Sequence, residues 1–395
     1  MHDRIPTRIS DRELQRRWKA VRAAMANRGI DALVIQSAND WLGGYVKYFT
    51  DLPANNGYPR SLIFPVSDPM TIVEVGPFNT TREYDGTDSL HRGVGDIRYS
   101  PSFLSIAYTH QYDAQAICDS LRKRGFRTIG LVGAGGMAHG FVAGLQAAFL
   151  GASEVVDATE LVDVIKAIKS EEEANLIRDA ARLQDEVFAA ALAAIHPGMR
   201  DIDVTALAWR EGQIRGSEQG IFLGASAPMG RPSPFLGRHM HGRILAPGDH
   251  LSLLIEINGP GGFYTELART IVLGRASQEL LDGFAAVKEA QGATLNHMKP
   301  DALCRDVAAA HDDFMSGRGL PLERRLYSHG QGYDMVERPL IRRDESMALR
   351  EGMCLAVHPS YETASMFAVI CDNYMIGLDG PGPCLHKTQK KVFEI

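Results

Sequence analysis

The sequence predicts an α/β domain over residues 1–164 followed by an α+β domain over residues 165–395. Three observations lead to this prediction. The first half alternates helix-period segments with short apolar runs, whereas the second half places long helices around paired strand segments. The chain has 395 residues, of which 45% are hydrophobic and 23% charged. It is therefore long enough for two domains with a core each, and too apolar for disorder.

The N-terminal half begins with a predicted helix over residues 10–29, followed by a buried strand in the run DALVIQS. Leu14, Trp18, Val21 and Met25 recur at helix spacing between a polar start and a glycine stop. Further strands are predicted in SLIFPVS, MTIVEVG and TIGLVGA, which are apolar runs bounded by Gly, Pro or Asp. A second helix is predicted over residues 112–124.

The C-terminal half contains four predicted helices and five predicted strands. The helices cover residues 176–194, 204–215, 278–298 and 303–315. The strands lie around Ile221 and over residues 251–257, 263–273, 353–358 and 367–376. The glycine-rich segment 258–262 forms the turn between the two central strands.

Charge and composition narrow the classes of function. The net charge of -6 and the pI near 6.1 argue against a general nucleic-acid binder, because no basic run is available to neutralise phosphates. No run of about 18 apolar residues and no apolar leader segment are seen, so we expect no membrane partner. Five scattered cysteines suit a reducing compartment. These features predict a cytoplasmic protein that acts on a small polar molecule.

Four segments of the last third carry the most specific signal: FYTELARTIVLG from Phe263, YSHGQGYDMVERP from Tyr327, MCLAVHPSYE from Met353 and VICDNYMIG from Val369. In order and flanking residues they resemble the active-site strands of the creatinase, prolidase and aminopeptidase P superfamily, of M24 type. The resemblance implies that the C-terminal domain has the pita-bread fold. It also implies a creatinase-like N-terminal domain and a homodimer.

The resemblance fails at the residues that would hold metal. Metal-dependent members hold two cations with five side chains. The matching positions here are Leu254 or Glu256, then Glu266, His329, His358 and Cys371. A bridged pair of hard divalent ions needs several carboxylates to neutralise its charge. The chain is therefore predicted to be a divergent member without the usual five ligands, and two-metal chemistry is not expected.

Strand geometry predicts that Glu256 and Glu266 share a pocket. Alternate residues of a strand point to one face, so Tyr264, a substrate-binding candidate, and Glu266 lie on the same side of their strand. The glycine-rich turn brings Glu256 within reach of Glu266. Two adjacent carboxylates raise one pKa and thereby place a proton donor beside an acceptor. An alternative is that Glu256 faces a subunit contact or pairs with an arginine.

The histidine motifs supply further candidates. His329 lies in Ser-His-Gly-Gln-Gly, where the glycines leave room for a ligand, and Gln331 of the same motif is a substrate-binding candidate. His358 replaces the Glu of the family's Glu-Pro pair, so we expect its side chain in the same cavity. A satisfied core histidine is the alternative. Cys371 is either a ligand-binding thiol or an inert buried residue.

A second histidine cluster, GRHMHGR, precedes the central strands. The resemblance places a catalytic base on this approach in creatinase-like enzymes, which use no metal, so His239 or His241 is expected to activate water. Imidazole suits proton transfer because it titrates near neutral pH. Arg238 and Arg243 are candidates for binding a substrate carboxylate. A solvated basic loop is the alternative.

Together these features predict a creatinase-like, metal-independent hydrolase of a C–N bond, with no cofactor. His239 or His241 would activate water, Glu256 and Glu266 would orient the substrate or donate a proton, and His329 and His358 would stabilise charge. The first alternative is a hydrolase, peptidase or lyase with one Zn or Fe ion on Glu266, His329 and His358. The second is a pita-bread binding protein without catalysis.

Overall fold

The described chain forms two compact units, Arg8–Lys166 and Ala167–Ile395. The structure is a computed structural model that describes residues 8–151 and 154–395, with the side chain of Arg238 left out of the description. In the part of the chain it describes, no helix combines the length and the apolar character that a membrane crossing requires.

The first unit is built on a seven-stranded mixed sheet flanked by helices. Its helices are α1 (Asp11–Asn27), α2 (Gly44–Thr50), α3 (His110–Lys123), α4 (His139–Phe149) and α5 (Thr159–Lys166). Its strands are β1 (Ala32–Ser37), β2 (Arg60–Pro65), β3 (Met70–Val75), β4 (Thr81–Glu83), β5 (Val94–Ser100), β6 (Thr128–Val132) and β7 (Glu154–Asp157), in the order β4-β5-β3-β2-β1-β6-β7.

The predicted elements of this unit are confirmed. The Ser10 side chain caps α1 by accepting a hydrogen bond from the Glu13 backbone N–H, and α1 buries Leu14, Val21 and Met25 at helix spacing. Strand β1 is buried along its whole length because it lies inside the sheet between β2 and β6. Strands β4, β5 and β7 and helices α2, α4 and α5 fall outside the predicted elements.

The second unit is an α+β assembly, as predicted. Its helices are α6 (Glu171–Ala194), α7 (Asp201–Ile214), α8 (Gln278–His297) and α9 (Cys304–Gly317). Its strands are β8 (Gly220–Pro228), β9 (Asp249–Asn258), β10 (Tyr264–Val272), β11 (Ser328–Gly330), β12 (Glu337–Leu340), β13 (Cys354–Val357), β14 (Ser360–Glu362), β15 (Phe367–Val369), β16 (Asp372–Gly377), β17 (Gly380–Pro381) and β18 (Phe393–Glu394). They form sheets in the orders β18-β10-β9-β8 and β12-β11-β13-β16-β17, and a β14-β15 pair.

One face of the β9-β10 hairpin packs against α6 and α7. Leu253 and Ile255 of β9 and Leu267 of β10 join Val187 of α6 in a single buried apolar cluster. Burying each such side chain contributes roughly 1.5–3 kcal/mol relative to exposure. Because side chains alternate along a strand, this packing turns the intervening residues of both strands to the opposite face.

The turn between β9 and β10 fixes their register. Gly261 and Gly262 both have positive φ values, 100° and 89°, which side chains with a Cβ rarely adopt. The Asn258 side-chain oxygen accepts hydrogen bonds from the backbone N–H groups of Glu218 and Gln219, each at 2.8 Å. The resulting register pairs Glu256 directly with Glu266.

The predicted strand over residues 367–376 is wrong as a single element. The structure divides it into β15 and β16, with Ile370 and Cys371 between them. Cys371 instead forms an isolated bridge to Ala268 of β10, with N···O distances of 3.3 and 3.4 Å. The sequence pattern does not reveal this break, because both β15 and most of β16 are buried.

Candidate active site

Two carboxylates occupy the inner face of the β9-β10 hairpin. Glu256 and Glu266 face each other across the two strands and are each only 6% exposed. Directly paired residues of antiparallel strands have Cβ atoms roughly 4.5–5.5 Å apart. Glu256 accepts a hydrogen bond of 2.8 Å from the Gln331 side chain. Two acidic groups that share one buried cavity cannot both be ionised cheaply.

Two histidines from the neighbouring sheet complete this group. His329 lies on β11 and His358 directly follows β13, and the two rings are 5.2 Å apart. The Nε2 atoms of His329 and His358 lie 3.7 and 4.0 Å from Oε2 of Glu266. Both distances exceed the length of a hydrogen bond, so a ligand atom can be held between the two imidazoles and the Glu266 carboxylate. We refer to Glu256, Glu266, His329 and His358 as the Glu/His cluster.

The tautomer of His329 follows from its backbone contact. Its Nδ1 lies 3.0 Å from the carbonyl oxygen of Gly330. A carbonyl oxygen can only accept, so Nδ1 carries the hydrogen and Nε2 presents a lone pair to Glu266. The Nε2 atom of His358 is buried and has no hydrogen-bond partner among the described residues. The cluster therefore contains, at His358, a buried ring nitrogen that no described residue satisfies.

Burial shifts the protonation of all four groups. Desolvation, with the Glu266 charge adding to it, raises the pKa of Glu256 well above its ordinary value. Desolvation also raises the pKa of Glu266 to about 7. It lowers the pKa of His329 to about 4 and that of His358 well below its ordinary value. At neutral pH the imidazoles and Glu256 are therefore uncharged, while Glu266 exchanges its proton readily.

A hydrogen-bond chain positions the two carboxylates. The Asn373 amide donates to the Gln331 side-chain oxygen at 2.7 Å, and Gln331 in turn donates to Glu256. The Asn373 oxygen accepts from the Glu266 backbone N–H at 2.6 Å and lies 3.3 Å from Nε2 of His386. Gln331, predicted to bind substrate, therefore holds the Glu256 carboxylate in place. Asn373 orients Gln331, and His386 lies next to Asn373.

Cys371 and Tyr264 line the same region. Cys371 is fully buried, its thiol lies 3.4 Å from the Glu266 carbonyl oxygen, and burial raises its pKa well above the ordinary value. This thiol is therefore protonated, as expected of an inert buried cysteine. Tyr264 is also fully buried, and its backbone N–H donates to Gly332 at 2.7 Å.

We refer to residues 237–243, which contain the second histidine cluster, as the approach segment. Its contacts are separate from those of the Glu/His cluster. His239 is exposed in a short 3₁₀ turn, and the Nε2 atom of His241 lies 3.0 Å from the Leu236 carbonyl oxygen. Within the described residues, no hydrogen bond or ion pair joins either histidine to the cluster. Arg243 forms a two-pronged ion pair with Asp249. The Arg238 side chain, predicted to bind substrate, lies outside the description.

The donor set does not fit two bridged metal ions. Leu254 is apolar, Cys371 is a protonated thiol, and Glu256 is engaged by Gln331. The same donor set does fit a single metal ion, because ligand atoms of Glu266, His329 and His358 all lie within 4.8 Å of one another. One carboxylate and two neutral imidazoles form a three-ligand set that leaves a position open.

Comparison with known proteins identifies the family. The model of metallopeptidase family M24 matches residues 175–377, more than half of the chain. The chain is a member of metallopeptidase family M24. This M24 protein is 28% identical over 347 residues to the uncharacterized hydrolase/peptidase y4tL of Sinorhizobium fredii, covering 85% of this chain and 84% of that one. It is 25% identical over 254 residues to the Xaa-Pro dipeptidase of Pyrococcus furiosus, covering 61% and 70% of the two chains.

Solved structures match this M24 protein over nearly its whole length. The X-Pro aminopeptidase of Thermotoga maritima matches with a TM-score of 0.78 at 16% identity, covering 96% of this chain and 99% of the other. The dipeptidase PepE of Mycobacterium ulcerans matches with a TM-score of 0.76 at 22% identity, covering 98% and 100%. These likenesses confirm the predicted α/β domain followed by a pita-bread domain. The family match confirms the predicted M24-type hydrolase.

Proposed function

We propose that this M24 protein hydrolyses a C–N bond of a small polar molecule by acid–base chemistry, without a two-metal centre. The in-register pair of buried carboxylates beside two uncharged imidazoles carries the proposal. The family's metal-ligand positions support it further, because they hold here the apolar Leu254, the protonated thiol of Cys371 and, in place of a glutamate, His358.

The two carboxylates divide the proton transfers between them. Glu266, with its pKa at about 7, accepts a proton from the attacking water near neutral pH. The water oxygen bonds to the electrophilic carbon, and Glu256 donates its own proton to the leaving nitrogen as the C–N bond breaks. One proton is taken up and one is given, so a transfer from Glu266 back to Glu256 closes the cycle.

The histidines orient this chemistry. The Nε2 lone pair of His329 accepts a hydrogen bond from the water or from protonated Glu266, because its Nδ1–H is already engaged with Gly330. The buried Nε2 of His358 has no hydrogen-bond partner among the described residues, so it is available to bind a substrate group. His239 and His241 remain candidates for a base on the approach segment, and Glu266 is favoured because it lies inside the cluster.

A single-metal hydrolase is the second candidate. The spacing of Glu266, His329 and His358 supports it, and uncharged imidazoles are the form that binds metal. A zinc or iron ion held there would supply Lewis acidity and lower the pKa of bound water.

Turnover assays with paired variants test the proposal. The substrates are Xaa-Pro dipeptides, N-acyl amino acids, lactams and cyclic amidines, incubated with the wild type, Glu266→Gln, Glu256→Gln and Glu289→Gln. Glu289 pairs with Arg318 on the exposed side of α8 and serves as the control. We expect the two cluster variants to lose at least about 100-fold in kcat and the control to keep its activity. Full activity in Glu266→Gln would refute the proposed role.

We further propose that the protein works as a cytoplasmic homodimer. All five cysteines are free, which supports a reducing compartment, and the resemblance to two-domain relatives supports dimerisation. Light scattering after size exclusion measures the subunit number directly.

A further inference from the structure

The hydrogen-bond chain that reaches Glu256 has a direction, and one backbone group fixes it. Oδ1 of Asn373 accepts a hydrogen bond from the Glu266 backbone N–H at 2.6 Å. A backbone N–H can only donate, so this atom is the amide oxygen and the other terminal atom of Asn373 is the NH2 nitrogen. The donor and the acceptor of each later hydrogen bond in the chain follow from this assignment.

Gln331 carries this direction to Glu256. The Asn373 NH2 group donates to Oε1 of Gln331 at 2.7 Å, which turns the Gln331 NH2 group towards Glu256. That NH2 group donates to Oε1 of Glu256 at 2.8 Å. When Glu256 carries the proton that an acid must donate, the oxygen that accepts from Gln331 acts as the carbonyl oxygen. The acid proton then lies on Oε2 of Glu256.

His386 provides a second donor to Asn373. Its Nε2 lies 3.3 Å from the same Asn373 oxygen. Because that oxygen can only accept, Nε2 carries a hydrogen whether the ring is neutral or charged. Both lone pairs of the oxygen are then occupied. A flipped Asn373 amide would set its NH2 group against two buried donors, so His386 and the Glu266 N–H together hold the amide in one orientation.

The residues on either side of His386 hold its ring in place. The Leu385 backbone N–H donates to the Asn373 carbonyl oxygen at 3.0 Å, which joins this segment to β16. The Asp185 carboxylate on α6 accepts from the backbone N–H and the hydroxyl of Thr388, at 2.9 and 2.6 Å. The His386 side chain is fully buried, and its Nδ1 lies 3.9 Å from Asp185. The ring is therefore anchored with its Nε2–H directed at Asn373.

We propose that His386 is a positioning residue for the hydrolysis, which acts through Asn373 and Gln331 to keep the acid proton of Glu256 on Oε2. The inference rests on the proposed acid role of Glu256 and adds how that acid is oriented. Two side chains separate His386 from Glu256 in the hydrogen-bond chain. The effect of His386 therefore falls on proton donation, which kcat measures, and not on substrate binding.

Substitutions that keep or remove the donor at position 386 test the inference. The proteins are the wild type, His386→Gln, His386→Leu and the control His297→Leu, because His297 is exposed in the last turn of α8. Glutamine can donate from its NH2 group, whereas leucine fills similar space without a donor. The values of kcat and KM are measured on the Xaa-Pro dipeptide, N-acyl amino acid, lactam or cyclic amidine that the wild type hydrolyses fastest. Thermal melts verify that each variant is folded.

Nitrogen NMR provides a readout that does not depend on turnover. Protein with ¹⁵N-labelled histidine rings reports which ring nitrogen of His386 carries the hydrogen, and its signals are assigned by their loss in His386→Gln. Protein with ¹⁵N-labelled glutamine side chains reports how fast the Gln331 NH2 hydrogens exchange with solvent, and these signals are assigned by their loss in Gln331→Leu. A buried and hydrogen-bonded NH2 group exchanges slowly.

We expect the Nε2–H tautomer of His386 and slow exchange at Gln331 in the wild type. His386→Leu should lower kcat about tenfold with little change in KM, and it should speed the exchange at Gln331. His386→Gln should recover part of both losses, and His297→Leu should match the wild type. An unchanged kcat in His386→Leu, or equal losses in His386→Leu and His386→Gln, would overturn the inference. An Nδ1–H tautomer in the wild type would overturn it without any variant, even if His386→Leu does not fold.

Failure of the proposed hydrolysis is distinguished from failure of this inference. Full activity in Glu256→Gln would refute the acid role itself. Loss of activity in Glu256→Gln together with an unchanged kcat in His386→Leu would refute only the positioning role. If the wild type hydrolyses none of the compounds, the proposed function fails and the NMR measurements decide the positioning role. Exchange at Gln331 that speeds up in His386→Leu and slows again in His386→Gln would then support it, and exchange that does not respond would overturn it.

Discussion

Replacing Glu266 with glutamine should make the protein more stable at pH 8 while removing its activity. Burial raises the pKa of Glu266 from an ordinary value of 4.5 to about 7. A tenfold change in proton affinity is about 1.4 kcal/mol, so ionising this group in the fold costs about 3 kcal/mol. Glutamine keeps nearly the same shape and never pays that cost.

The sign and pH window of the effect follow from linkage. Between pH 4.5 and 7 the folded state retains the Glu266 proton that the unfolded state has lost, so stability falls as the pH rises through this window. The advantage of Glu266→Gln should therefore be near zero at about pH 4, grow through this window and level off at about 3 kcal/mol above it.

Urea unfolding at a series of pH values measures this difference, and Glu289→Gln provides the control on an exposed helix. The single-metal alternative predicts the opposite sign, because a bound cation stabilises the ionised carboxylate and glutamine is a poorer ligand. A Glu266→Gln variant that is less stable than the wild type at pH 8, or a difference that does not depend on pH, would refute the reasoning.

Three further predictions concern the same site and its support. The pH profile of kcat/KM should show an acid limb near 7, the pKa of Glu266, whereas a limb near 4.5 would contradict the burial argument. Gln331→Leu removes the donor to Glu256 and should lower kcat by about 10- to 100-fold in steady-state assays, with a circular dichroism spectrum like that of the wild type. Arg269→Met removes the nearest cationic partner of the fully buried Asp372, at 2.6 Å, and leaves it Lys390 at 3.4 Å, so it should cost about 3 kcal/mol in urea unfolding. Adding Asp372→Asn should restore part of this loss, and no restoration would show that the ion pair is not the cause.

The fold and the core of the site could be predicted from different kinds of signal. The Glu256–Glu266 pairing follows from period-2 alternation and a short glycine-rich turn, which are local properties of the sequence. The convergence of His329 and His358 on Glu266 depends on long-range strand pairing, and only the resemblance to known active-site strands anticipated it. The three side chains do meet, as a rebuilt polar site requires.

Other features left no readable signal in the sequence. Strand β5 contains Gly, Asp and Arg and lacks clean alternation, so sheet pairing decides its structure. The break at Cys371 arises from a backbone bridge to Ala268, which no pattern encodes.

The metal content of protein purified without added ions, measured together with activity after exhaustive chelation, tests the central claim most directly. We expect far less than one bound ion per chain and full activity after the chelator is removed. Two tightly bound ions per chain, with activity lost on their removal and restored on their return, would contradict it.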